Sequence, residues 1–238
     1  MPKVSIIIRA KNEARYLPQV LASLKRQTFK DWELILVDNE SLDKTVSIAK
    51  SYGAKVISIK QEEFNYPYAC NVGARLAQGE LILYLSGHSI PLKDTWLAQG
   101  VKNFVDDKVA GVYATTYALP EATFAEKIFY NIPSFLLRSK RFTIEKISEV
   151  GMGVLGFTNA IIRRDLWEKR PLDMDYARGG EDGDWARYWV GQGYKIVHDP
   201  DFRVYHSHNL GLLDLLKQFY GWIKMRKPSV FVAQKNKF

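Results

Sequence analysis

The chain has 238 residues, 47% apolar and 25% charged, enough apolar material for one large α/β core or two small ones and too much for wholesale disorder. Its single cysteine, Cys70, excludes an internal disulfide and a cysteine-built zinc site, and it fits a reducing compartment. The formal net charge of +8 points to a polyanionic partner, with phosphate groups or acidic lipid ahead of nucleic acid, for which the dispersed basic residues supply no reading motif.

The first hundred residues alternate regularly. An apolar, β-branched run over residues 4–8 predicts a strand, and Leu17, Val20, Leu21 and Leu24 then recur at helical spacing. Residues 34–37 predict the second strand and 43–52 the next helix, with Asp43 and Gly53 as end signals. A third strand over 55–59, a helix over 68–77 ending at Gly79 and a fourth strand over 81–85 continue the pattern. Such alternation predicts right-handed crossovers and a parallel sheet, whose ligands bind at the carboxyl ends of the strands. No run approaches the ~18 apolar residues of a membrane span. The strand-like VSIII directly after Met1-Pro2-Lys3 leaves no room for a signal peptide, so a cytoplasmic location is expected.

The second half is less regular. Residues 109–113 predict a strand and 121–140 a helix interrupted at Pro133. Short strands at 160–162 and 195–197 flank a helix starting near Glu181. Over 210–227, Leu212, Leu213, Leu216, Phe219, Tyr220 and Ile223 share one broad face among Lys217, Lys224, Arg226 and Lys227. That face either lies on an anionic bilayer, as a peripheral membrane contact, or packs on the rest of the chain or a second copy.

Three polar strand ends attract attention. Asp38 closes the second strand in VDNESLDKT, where a carboxylate either accepts from a nucleobase imide or ribose hydroxyl or satisfies loop donors. Arg9–Glu13 (RAKNE) and Ser86–His88 (LSGHSIP) hold the corresponding positions on two other strands. Polar tips on one edge of a parallel sheet predict a cleft.

The strings SIIIRAKNE, SLKRQTFKDWELILVDNESLDKT, NVGARLAQGELILYLSGHSIP and GGEDGDWARYW resemble, in order and spacing, those of a family 2 glycosyltransferase. The resemblance spans residues 4–208. It implies the GT-A fold, a mostly parallel α/β sheet flanked by helices, with residues 1–105 binding a nucleotide sugar and 106–209 an acceptor. Residues 210–238 form an amphipathic, basic appendage. The implied reaction transfers a sugar, with inversion, from a UDP-, dTDP- or GDP-linked donor to a hydroxyl of a glycan or lipid-linked acceptor in cell-surface polysaccharide synthesis. A hexose on dTDP or UDP is favoured, with rhamnose as one option.

Carried over by position, the resemblance has Arg9, Asn12 and Glu13 lining the nucleotide pocket, Asp38 on the base and Asn71 on the donor. Cys70 stands where an arginine is common. Ser86-Gly87-His88 replaces the usual Asp-x-Asp, so Ser86 takes the first position beside the donor and His88 the metal position. His88 is then a ligand for Mn²⁺ or Mg²⁺, a donor to the phosphate, or structural. In RVYHSHN, His206 is preferred to His208 as a second metal contact, and His198 is assigned to structure. Glu181 and Asp182 open a helix: by composition a capping pair, by resemblance the catalytic base Asp182 with Glu181 in support. Thr158, Asn159 and Trp185 are assigned to the acceptor pocket. Gly151-Met152-Gly153-Val154-Leu155-Gly156 matches G-x-G-x-x-G but neither follows a strand nor opens a helix, so it predicts a glycine-rich turn and not a dinucleotide site. Two rival readings are a nucleotidyltransferase, which needs carboxylates for two metals, and a degenerate module that only binds the nucleotide sugar.

Overall fold

A computed structural model describes residues 1–177 and 179–225. The first half runs β1 (Val4–Ala10), α1 (Leu17–Arg26), β2 (Trp32–Asp38), α2 (Thr45–Ser51), β3 (Lys55–Ser58), α3 (Tyr66–Leu76) and β4 (Leu81–Ser86). A two-residue strand, β5 (Ile90–Pro91), and helix α4 (Trp96–Val101) follow. The second half comprises β6 (Val109–Tyr113), α5 (Phe124–Leu136), β7 (Phe142–Ile144), β8 (Asn159–Arg163) and α6 (Arg164–Lys169). It ends with α7 (Glu181–Gly191), β9 (Lys195–His198), β10 (Val204–Tyr205) and α8 (Leu212–Met225).

Eight strands form one sheet in the order β3-β2-β1-β4-β8-β6-β9-β7. Strands β1 to β4 pair in parallel, as expected from their alternation with helices. Two antiparallel features depart from that pattern: β8 runs against both β4 and β6, and β7 runs against β9. Within β1, Ile7 joins the core on one face while Ile6 and Ile8 join the core on the other. Burial on both faces is why this strand reads as an unbroken apolar run and not an alternating one. Leu17, Val20, Leu21 and Leu24 are all buried, and each contributes roughly 1.5–3 kcal/mol by leaving water.

The helix expected over residues 121–140 forms only over Phe124–Leu136. Thr123 caps it by accepting from the Glu126 N–H at 3.3 Å. Pro133 lies inside, so the helix is not interrupted there; so near the carboxyl end the ring forfeits one N–H without ending the helix. Helix α8 packs on α5, with Leu215 buried between them and Leu212, Leu213 and Leu216 left largely exposed. The basic residues Arg226 and Lys227 lie outside the described residues. Among those described, no helix is long and apolar enough to cross a membrane.

Candidate active site

Register brings the three polar strand ends together. Ala10 pairs with Asp38, and Arg9 pairs with Ser86 on the other side of β1. Loops from three adjacent strands therefore leave the sheet side by side at its carboxyl edge. Asn12, with φ of +55°, turns the first loop back on the second: its N–H donates to Ser41 Oγ at 2.9 Å, and its Oδ1 accepts from the Leu42 N–H at 2.8 Å. Asp38 is buried. One carboxylate oxygen accepts from the Ser41 N–H at 3.2 Å, and the other, Oδ1, has no partner within the protein. A buried carboxylate oxygen without a donor is costly, and a ligand N–H or O–H would satisfy it.

The third loop carries the histidine. Gly87 is required there by close approach, because a Cβ would stand 2.7 Å from Glu13 Cγ. With Gly87 in place, Glu13 Oε1 lies 2.8 Å from His88 Nδ1. Pairing of β5 with β10, Val204 opposite Pro91 and Tyr205 opposite Ile90, then carries the chain's last histidines to the same place. His206 stacks on His88 with ring centroids 4.6 Å apart, and its Nδ1 lies 3.1 Å from Ser89 Oγ. His208 meets both rings edge-on, at 5.1 and 4.7 Å. One ligand nitrogen from each of His88, His206 and His208 lies within 4.8 Å of the others. Burial, the two neighbouring imidazoles and Arg9 hold His206 well below the usual histidine range, and burial also lowers His208, so both are neutral near pH 7. His88 Nε2 is buried with no protein partner. Neutral imidazoles around an unpartnered nitrogen are a donor set that fits a divalent transition metal.

Opposite stands the start of α7. Gly179 and Gly180 both have positive φ, +109° and +98°, a turn that L side chains rarely adopt, and it delivers three acids to the first helical turn. Asp184 is engaged by Arg170 at 2.7 Å and Tyr176 at 3.0 Å. Glu181 is 4% exposed. Asp182 stays partly exposed, held by the Gly183 N–H at 2.6 Å and by the Phe157 backbone. Burial raises both carboxyls above the usual range; Glu181 is pushed up to about 7, first by burial and then by Asp182, with Arg9 opposing. Arg9 joins the two sides. Its Nη2 donates to the Phe157 carbonyl at 3.1 Å, its Nε is unpartnered, and its charge acts on Glu181, Asp182 and His206.

A raised carboxyl has a definite stability sign. An unfolded Glu181 ionises near 4.5, whereas the folded chain keeps that proton up to about 7, so folding loses stability as pH rises through this window. Glu181→Gln is therefore expected to gain roughly 2–3 kcal/mol on the wild type in urea denaturation as pH rises from 5 to 8. A difference between the two that does not change with pH would contradict this assignment.

Several expected site residues serve elsewhere. Asn71 is buried and its amide is engaged within the protein: its Oδ1 accepts from Trp167 Nε1 at 2.9 Å and the Leu172 N–H at 3.1 Å, and its Nδ2 donates to the Leu172 carbonyl at 2.8 Å. It ties α3 to the segment after α6. Trp185 is fully buried, donating to the Arg170 carbonyl at 3.0 Å, and presents no acceptor surface. Asn159 is buried too, with Nδ2 on the Phe202 carbonyl at 2.6 Å. Thr158 and Ser86 remain half-buried neighbours, the Ser86 N–H donating to the Thr158 carbonyl at 3.1 Å. His198 lies in the core against Phe142. Residues 151–158 form turns, with Leu155 at φ +61° and no helix after them. Cys70 is buried beside Arg9, and its thiol is pushed up to about 12 by that burial, so it stays neutral. His208, ranked behind His206 from the sequence, joins His88 and His206 in one cluster.

Comparison with known proteins agrees with this geometry. The chain matches the glycosyl transferase family 2 model over residues 5–170. It is 26% identical over 215 residues to the O-antigen chain rhamnosyltransferase RfbN of Salmonella typhimurium, covering 87% of this chain and 67% of that protein. Among solved structures, the mannosyltransferase PcManGT of Pyrobaculum calidifontis, in complex with GDP-Man and Mn²⁺, superposes with a TM-score of 0.65 at 22% identity, over 86% of this chain and 56% of that one. S. aureus TarS 1-349 in complex with UDP gives a TM-score of 0.63 at 18% identity, over 94% of this chain and 65% of that one. The chain thus spans about two thirds or less of these relatives. The sheet and its flanking helices are the GT-A-like α/β fold of glycosyltransferases. A family match over most of the chain, joined to polar strand ends gathered at one edge of the sheet, identifies the protein as a glycosyltransferase belonging to glycosyl transferase family 2.

Proposed function

We propose that the crevice between the β1, β2 and β4 strand ends and the start of α7 transfers a sugar, with inversion, from a nucleoside diphosphate sugar to a hydroxyl of a growing cell-surface glycan. The observation that carries this reading is an unpartnered oxygen on Asp38, which pairs with the residue after Arg9, together with an Arg9 charge that acts on both His206 of the histidine cluster and Asp182. Asp38 accepts from the base or ribose, with Asn12 and Glu13 fixing the loops around it. Arg9 sets the charge between the two sides. A divalent ion bound at His88 and His206 would neutralise the diphosphate as the nucleotide leaves. Asp182 takes the proton of the acceptor hydroxyl as that oxygen attacks the anomeric carbon. Of the three acids on this turn, Asp184 is engaged and Glu181 is enclosed, which supports the assignment of Asp182 as the base.

A nucleotidyltransferase is disfavoured, because among the described residues the metal-capable cluster is built of histidines and not of paired carboxylates. O-antigen and mannosyl relatives support a glycan product, with a dTDP-, UDP- or GDP-linked hexose as donor. Incubation with a panel of UDP-, dTDP- and GDP-sugars is expected to show slow hydrolysis of one donor class, lost with EDTA and restored by Mn²⁺. Absence of turnover across the panel, with and without metal, would contradict the reading.

The acceptor side carries a second surface. On α5, Phe124, Ile128, Ile132 and Leu136 repeat every four residues and are 45–80% exposed; Leu213 and Leu216 on α8 extend the patch. Arg138, Lys140 and Lys217 flank it. An apolar stripe bordered by cations suits the surface of an anionic bilayer, where a lipid-linked acceptor would lie.

A further inference from the structure

We infer that His88, His206 and His208 form one divalent-metal site of three imidazoles and no carboxylate, which holds a borderline transition ion and rejects Mg²⁺. The inference deepens the reading above and rests on it for what the ion does, but not for where the ion binds.

The geometry argues as follows for an ion site. The three ligand nitrogens lie within 4.8 Å of one another, while ligands of one tetrahedral ion at its usual bond length of about 2.1 Å stand roughly 3.4 Å apart. Small ring rotations close that gap. Glu13 Oε1 faces His88 Nδ1 at 2.8 Å, which fixes the ring and leaves Nε2, buried and unpartnered, as the nitrogen available to an ion. A carboxylate on the far nitrogen of a histidine is the arrangement that orients metal-binding imidazoles and raises their basicity. Ser89 Oγ does the same for His206 at 3.1 Å. His208 is fixed through its main chain, whose N–H donates at 2.8 Å to Glu126 Oε1. Glu126 is fully buried and its other oxygen is unpartnered, so a second carboxyl group stands behind the cluster.

The donor set decides the ion. Mg²⁺ prefers oxygen ligands in a near-ideal octahedron and sheds water reluctantly. Imidazole suits the later first-row ions, for which affinity rises from Mn²⁺ through Co²⁺, with Zn²⁺ also bound tightly. Replacement of a carboxylate string by Ser86-Gly87-His88, with His208 added, thus changes which ions the site accepts.

The test uses the full chain, free of any affinity tag and stripped with a chelator, titrated with Co²⁺ alone. One equivalent is expected, with visible absorption bands of a nitrogen-ligated ion. Zn²⁺ should displace it, Mn²⁺ should compete at higher concentration, and millimolar Mg²⁺ should not. His208 stands at the solvent-facing edge of the cluster, so His208→Gln keeps its thermal stability while weakening Co²⁺ binding at least 10-fold and altering the bands. Failure of the wild type to bind Co²⁺, unchanged binding by His208→Gln, or Mg²⁺ competing as well as Mn²⁺ would each overturn the site. Donor-sugar turnover reports separately: Co²⁺ binding without any turnover sinks the transferase reading and keeps the site, and Mg²⁺-supported transfer without a Co²⁺ site does the reverse.

Discussion

Asp182→Asn is expected to lower turnover by about 10³-fold while leaving nucleotide affinity within a few-fold of the wild type. The asparagine keeps the size and the hydrogen bond from the Gly183 N–H, but its amide cannot take a proton. On the proposed reading Asp182 meets the acceptor, whereas Asp38 and the histidines meet the donor, so binding and chemistry separate in this variant. Calorimetric titration with nucleoside diphosphate, beside single-turnover transfer, measures the two independently. The pH profile carries a related signature. Glu181 takes up a proton as pH falls through about 7, and Asp182, also raised by burial, can act only when ionised. Wild-type turnover should therefore fall on the acid side of neutrality. An Asp182→Asn variant with near-normal turnover would remove the base assignment.

The second large effect concerns the α5–α8 surface. Ile132 and Leu213 are 53% and 73% exposed, so charges placed there should not disturb the core. If each side chain gains about 1.5 kcal/mol by entering the bilayer interface, Ile132→Glu together with Leu213→Glu should weaken binding to vesicles containing phosphatidylserine by roughly 100-fold. Thermal stability should be unchanged. Co-sedimentation at low and high salt measures this directly, since the flanking cations add a screened attraction. Equal sedimentation of variant and wild type would assign the patch to another occupant, such as a second copy of the chain.

The portion of this structure legible in the sequence is the portion governed by local periodicity. Val20, Leu21 and Leu24 announced α1 because one face of a helix must be apolar, and the run from Val4 to Ile8 announced a strand, which the structure buries on both faces. Asp38, Arg9 and His88 were legible as strand ends because parallel topology sends successive loops to one edge. What escaped depends on contacts distant in the chain. The β5–β10 pairing that joins His206 and His208 to His88 involves strands of two residues, too short for any alternation to register. Antiparallel β8 was hidden because strand direction leaves no mark on a buried apolar segment such as Ala160–Ile161–Ile162. Asn71 and Trp185 occupy positions that suggested ligand contacts, yet their hydrogen bonds close on Leu172, Trp167 and Arg170 instead. A polar side chain in a promising motif is equally a means of fastening buried backbone.

The most direct test is a crystal structure of Asp182→Asn bound to a nucleoside diphosphate sugar and Mn²⁺, which the retained nucleotide affinity makes accessible. The base or ribose should contact Asp38, the diphosphate should lie against His88 and His206, and the anomeric carbon should face residue 182. A nucleotide bound on another surface, or a diphosphate turned away from the histidines, would contradict the assignment of this crevice as the active site.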